Sequence, residues 1–356
     1  MNQMFKKAIL PLAACCGVIA LCSCSTTYDT ELKVDYVDRE SVEKLADDEI
    51  YSQSIDIKQM KNDKKLGIGV LVNVADMSQG RCRLPDSVNL AGVAWKLAQN
   101  FLAQTKAYQV YVFPEGTSSE KLMSSNEFDG VKFAFLIDMN IVLSSEIEER
   151  LDEDEAMYKT TIDWKLIDNR TKNNGLGELA APTIKESLVC RGITSRKLKI
   201  ASVRNRRMGG TEIRNAQNAY FNTLANAMLQ FRAQLSNRIP YGGKVIAIRL
   251  RDGKLRMTMT GGREVGIVPK MQMLIINEEG DQVAVATATG GAKPNETMLD
   301  VWRWLSPSLA KSIMCVAGDK KQAEAWLDEE GNQLYAICLG TPKPSKDEIS
   351  NFSDTK

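Results

Sequence analysis

One sulfur in this 356-residue chain has neighbours that prescribe a chemistry for it. Lys6 and Lys7 precede an apolar run, Ala8 to Leu21, which closes on Leu21-Cys22-Ser23-Cys24. A basic start, a short apolar stretch and small residues before a cut make the three-part layout of a secretory signal peptide. The closing residues also fit the lipobox, in which an aliphatic residue and small residues precede a cysteine that receives acyl chains. Residues 1–23 therefore read as a removable signal, and Cys24 as the lipid-bearing first residue of the mature chain. The run is shorter than the ~20 apolar residues of a spanning helix. The competing reading is an apolar start to a cytoplasmic domain.

Elsewhere the available chemistry is bounded by what is missing. The chain has no histidine, which removes Ser-His-Asp and Cys-His nucleophile systems, His-ligated metals and the usual base near neutral pH. Four of the eight cysteines, Cys15, Cys16, Cys22 and Cys24, sit in or beside the signal. Cys82, Cys190, Cys315 and Cys338 are scattered, without the Cys-x-x-Cys spacing of zinc or redox sites. They are expected as free, buried thiols, although an exported chain could pair them. Ser308-Leu309-Ala310-Lys311 spells the Ser-x-x-Lys of penicillin-recognising enzymes, but the accompanying Ser-Asp-Asn and Lys-Thr-Gly elements are absent. A helix start after Pro307 accounts for it. Gly67-Ile68-Gly69 opens a strand instead of following one, and Gly242-Gly243-Lys244 lacks the flanking residues of a phosphate loop. Carboxylate pairs suited to sugar hydrolysis cannot be picked out, because acids are everywhere. No cofactor is expected. No metal is expected either, since the acid-rich run 146–155 lacks calcium-loop spacing.

Composition is that of an ordinary globular chain, 44% hydrophobic and 26% charged. Removing residues 1–23 takes away two lysines and no acids, so the mature charge is 44 − 45 = −1. A dedicated nucleic-acid binder would show a basic excess, so no nucleic-acid partner is expected. The length admits two domains.

The elements that would position these residues follow from periodicity. Residues 24–65 are polar and read as a lipidated tether, with a docking helix between Ser41 and Met60 that presents Val42, Leu45 and Ile50. From Gly67, near-continuous apolar residues give a buried strand. Asp86 to Lys106 has the three-and-four spacing of an amphipathic helix, through Val88, Ala91, Trp95, Ala98 and Leu102. Tyr108–Phe113, Val131–Ile141, Tyr158–Leu166 and Thr183–Val189 read as strands, and Ile213–Leu235 as a long helix. Pro240-Tyr241-Gly242-Gly243 marks a boundary. Beyond it, Lys244–Arg251 and Lys254–Thr260 flank Asp252-Gly253, a hairpin signal because both residues tolerate positive φ. Met271–Asn277 and Gln282–Ala288 make a second pair, with Leu299–Leu305 and Ile313–Val316 completing a small barrel or sandwich. Trp302 and Trp304, two apart in a strand, are expected on one face and in the core, as are Tyr108, Tyr111 and Phe113. The fold class is α/β (α+β). A sheet with packed helices spans 66–238, a β-rich module 241–318 and a polar, mobile tail 319–356.

Three stretches carry a likeness to known proteins. Lys65-Leu66-Gly67-Ile68-Gly69-Val70-Leu71-Val72 opens a strand before a helix. Thr161 to Thr171 ends a strand in Asp168-Asn169-Arg170-Thr171, and an Ala- and Asn-rich helix follows Gly210. In this order, over about half the chain, they resemble the curli-secretion-channel (CsgG-type) lipoprotein family. Its relatives include penicillin-binding-protein activator lipoproteins and the N-terminal domain of TolB. Val265-Gly266-Ile267-Val268-Pro269 is similar to small β-modules of flagellar-assembly lipoproteins. The resemblance implies a CsgG/TolB-N-like sheet and a role in envelope assembly, secretion or cell-wall synthesis.

The channel branch of that family implies two membrane-inserted hairpins per subunit. The corresponding stretches here are charged on both faces: seven acids lie in 146–155, and cations crowd 191–207. One such cation at the bilayer midplane costs roughly 2–4 kcal/mol. An oligomeric pore is therefore the alternative, and a glycan-active hydrolase the second alternative, to a non-enzymatic lipoprotein working by protein contacts. The candidate partner-binding residues are Glu146, Glu149, Asp152 and Asp154 on an acidic loop, with Arg196, Lys197, Arg204 and Arg206 on a basic one. Complementary potentials there would set encounter rate and specificity. The plainer reading is a pair of solvated loops that keep the sheet edge from pairing with other chains. Expected partners are the membrane, through the lipid on Cys24, and an envelope protein, with homo-oligomer formation open. Ser25 after Cys24 points to the outer membrane under the best-known sorting rule, with the body on its periplasmic side.

Overall fold

The computed structural model describes residues 36–46, 50, 65–78, 84–103, 105–118, 127–128, 131–148, 155–168, 183–197, 210–290 and 294–343. A helical turn, α1 (Arg39–Glu43), comes first. A five-stranded sheet follows in the order β2-β1-β5-β6-β7. Its strands are β1 (Gly67–Asp76), β2 (Gln109–Val112), β5 (Phe135–Glu148), β6 (Glu155–Asp168) and β7 (Thr183–Lys197). The short ladder β3 (Glu127–Phe128) and β4 (Val131–Lys132) stands apart from it. β1 pairs in parallel with β2 and β5, and β5, β6 and β7 run as an antiparallel meander. The parallel β1–β2 step needs a crossover, which α2 (Leu90–Ala103) supplies.

The helix expected from Asp86 starts at Leu90, after a 3-10 turn over Asp86–Val88. Asn89 sets that boundary: its φ is 46°, and its side chain accepts from the Gly92 N–H at 3.2 Å. The buried stripe is therefore Leu90, Ala94, Ala98, Phe101 and Leu102, while Trp95 stays half-buried and donates to the Val72 carbonyl at 3.2 Å.

α3 (Gly210–Arg238) packs with α2 on one face of the sheet. Its contacts with β6 advance in step along both elements. Tyr158 meets Tyr220 edge-on at 5.0 Å, and Thr160 meets Thr223 through their hydroxyls at 2.7 Å. Trp164 meets Phe231 at 5.0 Å and donates its indole N–H to Gln234 at 2.8 Å. Because the Thr223 hydroxyl already donates to the Tyr220 carbonyl, Thr160 must be the donor of its pair. Six strand residues cover about 20 Å and the matching helix stretch about 17–21 Å. Strand and helix thus run the same way and stay in register.

The second body is a closed six-stranded barrel, ordered β10-β11-β12-β9-β8-β13. It comprises β8 (Gly242–Arg251), β9 (Lys254–Thr260), β10 (Gln272–Ile276), β11 (Gln282–Gly290), β12 (Glu296–Trp304) and β13 (Tyr335–Cys338). Asp252 and Gly253 have φ of 52° and 72°, the two positive values that the β8–β9 hairpin turn requires. Gly243 answers a different demand: a Cβ there would sit 1.9 Å from the Thr260 carbonyl oxygen.

Two sequence expectations need correction here. Ile313–Val316 is not a strand but the end of α4 (Pro307–Val316), followed by α5 (Lys320–Asp328). Ile313, Ala317, Ala323 and Leu327 turn those helices onto the barrel core. Nor does a polar tail begin at 319, because β13 closes the barrel between β10 and β8. The β-rich module therefore runs past 318 to at least Cys338.

Replacing Trp164 by Ala should cost about 3–5 kcal/mol, since it opens the sheet–helix seam and strips Gln234 of its donor. Urea unfolding measures this. A loss under about 1 kcal/mol would show that the seam does not hold α3.

Candidate functional site

The described parts of the charged runs are strand and not loop. Pairing of β5 with β6 continues outward until Glu146 lies opposite Met157 and Glu148 opposite Glu155. Pairing of β6 with β7 continues until Ala156 lies opposite Arg196 and Glu155 opposite Lys197. Glu146, Arg196 and Lys197 are thus strand positions, a correction to the loop assignment. Ladder hydrogen bonds use backbone groups alone, so charged side chains need not end the pairing. The register brings acidic and basic positions to one end of the sheet. Glu149, Asp152, Asp154, Arg204, Arg206 and the lipobox with Cys24 lie outside the described residues.

The opposite end of the sheet meets the barrel. The Tyr108 hydroxyl donates to the Ile239 carbonyl, and the Tyr108 ring stands edge-on to Tyr241 at 5.8 Å. Lys65 donates to the Glu264 carbonyl at 3.3 Å. Cys338 is sealed beside this junction, its thiol 3.1 Å from the Gly340 carbonyl. Burial pushes that thiol up to about 11, which leaves too little thiolate for nucleophilic work near neutral pH. Cys338 is free and buried as expected, whereas Cys315 is free but exposed on α4. The side chain of Cys190, on β7, and all of Cys82 fall outside the description.

Part of the segment read as tether is docked on the barrel. Tyr335, Ile337, Leu274, Ile276 and Val285 form an apolar patch on the outer side of β13, β10 and β11, and Val42 and Ile50 are buried on it. Leu45 is 38% exposed, so only two of the three expected docking residues are buried. Polar contacts fix the register of the dock. Asp38 caps α1 by accepting from the Ser41 N–H at 2.8 Å, and that bond holds its carboxyl below the ordinary range. Arg303 donates to the Val42 and Leu45 carbonyls at 3.2 and 3.1 Å, closing the other end of the turn. The Arg39 guanidinium lies 4.7 Å from the Trp302 ring centre, within cation–π range. Val37 then joins the Thr341 carbonyl at 2.9 Å.

Trp302 and Trp304 do not share a face. The β11–β12 register slips between Val285 and Ala286, whose partners are Arg303 and Val301. An extra residue on one strand reverses the alternation beyond it. Trp302 therefore packs with the docked segment and Trp304 with the barrel core. Tyr108 and Phe113 are buried as expected, while Tyr111 is half-buried against Phe113 and Phe133.

The sheet face away from the helices is polar over much of its length. Asn73 donates to Asn140 at 3.2 Å, and Asp138 lies opposite Lys165. Burial raises the Asp138 carboxyl, and Lys165 opposes that shift. One Asp138 oxygen is buried with no hydrogen-bond partner. No cluster of metal-ligating side chains occurs among the described residues.

No protein-family model and no curated protein sequence matches the chain. Among solved structures, a hypothetical protein of Chlamydia trachomatis aligns at 10% identity and TM-score 0.30, over 49% of this chain and 98% of that one. The dodecameric PelC of Paraburkholderia phytofirmans aligns at 14% identity and TM-score 0.22, over 46% and 86%. Lipoprotein GNA1162 of Neisseria meningitidis aligns at 14% identity and TM-score 0.21, over 45% and 99%. Likenesses of this degree carry neither family nor function to this chain.

Two outcomes follow for the docked segment and the polar face. Arg303→Ala should cost roughly 1–2 kcal/mol and expose the segment around Val42 to limited proteolysis while the barrel stays resistant. An unchanged cleavage map contradicts the docking role. Asp138 has a raised folded-state value, so its contribution is neutral below about pH 4, where both states are protonated. It destabilises increasingly as pH climbs through the raised value. Asp138→Asn should therefore gain stability at pH 7 and none at low pH, read from urea midpoints across pH. A gain independent of pH would contradict the assignment.

Proposed function

We propose that this chain is a lipid-anchored protein of the bacterial envelope that works through protein–protein contacts and performs no chemistry of its own. The observation that carries this reading is Leu21-Cys22-Ser23-Cys24 behind a basic and apolar signal layout. The docked residues Val42 and Ile50 support it, since an acyl group on Cys24 would then hold a folded body and not a loose end. The partner surface is the charged end of the β5–β6–β7 meander, where Glu155 and Lys197 stand in register. Its partner is an envelope assembly, secretion or cell-wall-synthesis protein, following the resemblance.

The channel alternative draws on strand length. β5 and β6 are 14 residues each, and ~9–11 suffice to cross a bilayer. Charge weighs against it, because the outer positions Glu146, Glu148, Glu155, Arg196 and Lys197 would enter the membrane first.

Metabolic labelling with a fatty-acid analogue should mark the wild-type protein and leave Cys24→Ala unmarked, with the variant leaving the membrane-bound acylated pool. Equal labelling of both proteins removes the anchor from Cys24 and the reading with it.

A further inference from the structure

The two bodies meet end to end, and the chain lengths say how far each pole lies from the junction. Phe135 begins β5 beside the junction, and Glu148 ends it 13 residues later, about 43 Å away at ~3.3 Å per residue. α3 returns over the same span, ending where Ile239 accepts from Tyr108. On the other side, β8 leaves the junction at Gly242 and reaches the Asp252-Gly253 turn after 10 residues. With the usual barrel tilt that pole is about 25 Å from the junction.

The N-terminal segment joins the body between these poles. Val37 bonds to Thr341, whose hydroxyl is 2.8 Å from that of Ser236 in the last turns of α3. From Cys24 to Val37 there are 37 − 24 = 13 residues, which span at most about 45 Å when fully extended. Turning the charged pole toward the anchoring bilayer would consume that whole length. Turning the barrel pole toward it leaves slack.

The barrel pole has a surface suited to that position. Arg249, Arg251 and Lys254 flank the turn, and all are exposed. The α4–α5 corner stands beside them, through the Leu250 N–H to the Ala317 carbonyl at 3.0 Å, and it adds Lys320 and Lys321. Against these five cations stand Asp252, paired with Arg251 at 3.8 Å, Asp319, and Glu324, paired with Lys320 at 3.5 Å. Leu250 and Met314 are 42% and 43% exposed there. Cations around exposed apolar side chains suit an anionic headgroup layer, which attracts basic residues within a Debye length.

We infer that the β8–β9 turn and the α4–α5 corner rest on the anionic lipid surface of the anchoring membrane, carrying the charged end of the sheet away from that membrane. This rests on the anchoring reading above, and the test separates the two. Acylated full-length protein, with benzoylphenylalanine in place of Leu250 or of Glu155, is reconstituted into phosphatidylcholine vesicles with or without phosphatidylglycerol, floated and irradiated. With phosphatidylglycerol, lipid should attach at position 250 several-fold more than at 155. Raised salt, or the combined change Arg249→Glu, Arg251→Glu and Lys254→Glu, should bring the two positions level. Protein that fails to float overturns the anchor and this inference together. Protein that floats but labels equally at both positions, or labels 250 regardless of charge reversal, overturns the inference alone.

Discussion

The contact on which the arrangement depends is the burial of Val42 and Ile50 against the outer face of β10, β11 and β13. Without it, the described N-terminal segment would lose its apolar seat on the barrel and keep only polar contacts such as Val37 to Thr341. Burying a side chain of that size contributes about 1.5–3 kcal/mol, so two of them make a dock and not an irreversible seal. The Arg303 bonds and the Arg39–Trp302 contact add direction, because they accept only one path for the turn across the barrel. The bulge that parts Trp302 from Trp304 is what makes Trp302 available to that path.

The other ordering constraint is the seam between β6 and α3. Its two polar pairs, Thr160 with Thr223 and Trp164 with Gln234, are buried, and a slip of one residue would strand their donors and acceptors. That penalty holds a 29-residue helix parallel to a 14-residue strand. The result is an elongated body whose charged end and barrel end are separated by rigid elements.

Most elements were legible because apolar spacing reports which face is buried. Ile137, Met139 and Ile141 alternate on β5, and Tyr220, Leu224, Ala227 and Phe231 follow helical spacing on α3. What escaped has identifiable causes. Ile313–Val316 is a short apolar run, which periodicity alone cannot divide between strand and helix. Leu334 to Leu339 is buried throughout, so β13 shows no alternation and hides among polar neighbours. The charged runs were legible as runs of charge, but not their register, which is set by backbone pairing further inside the sheet. Arg303 and Asp138 carried no signal, because each acquires its role only from residues distant in the chain.

Acylation at Cys24 remains the premise on which tether length, orientation and partner face all turn. The intact mass of the native protein, purified from envelopes of the organism that makes it, tests that premise most directly. The account predicts a chain beginning at Cys24 with a mass increment matching attached fatty acyl groups. A chain that keeps Met1 and carries no acyl group would contradict it.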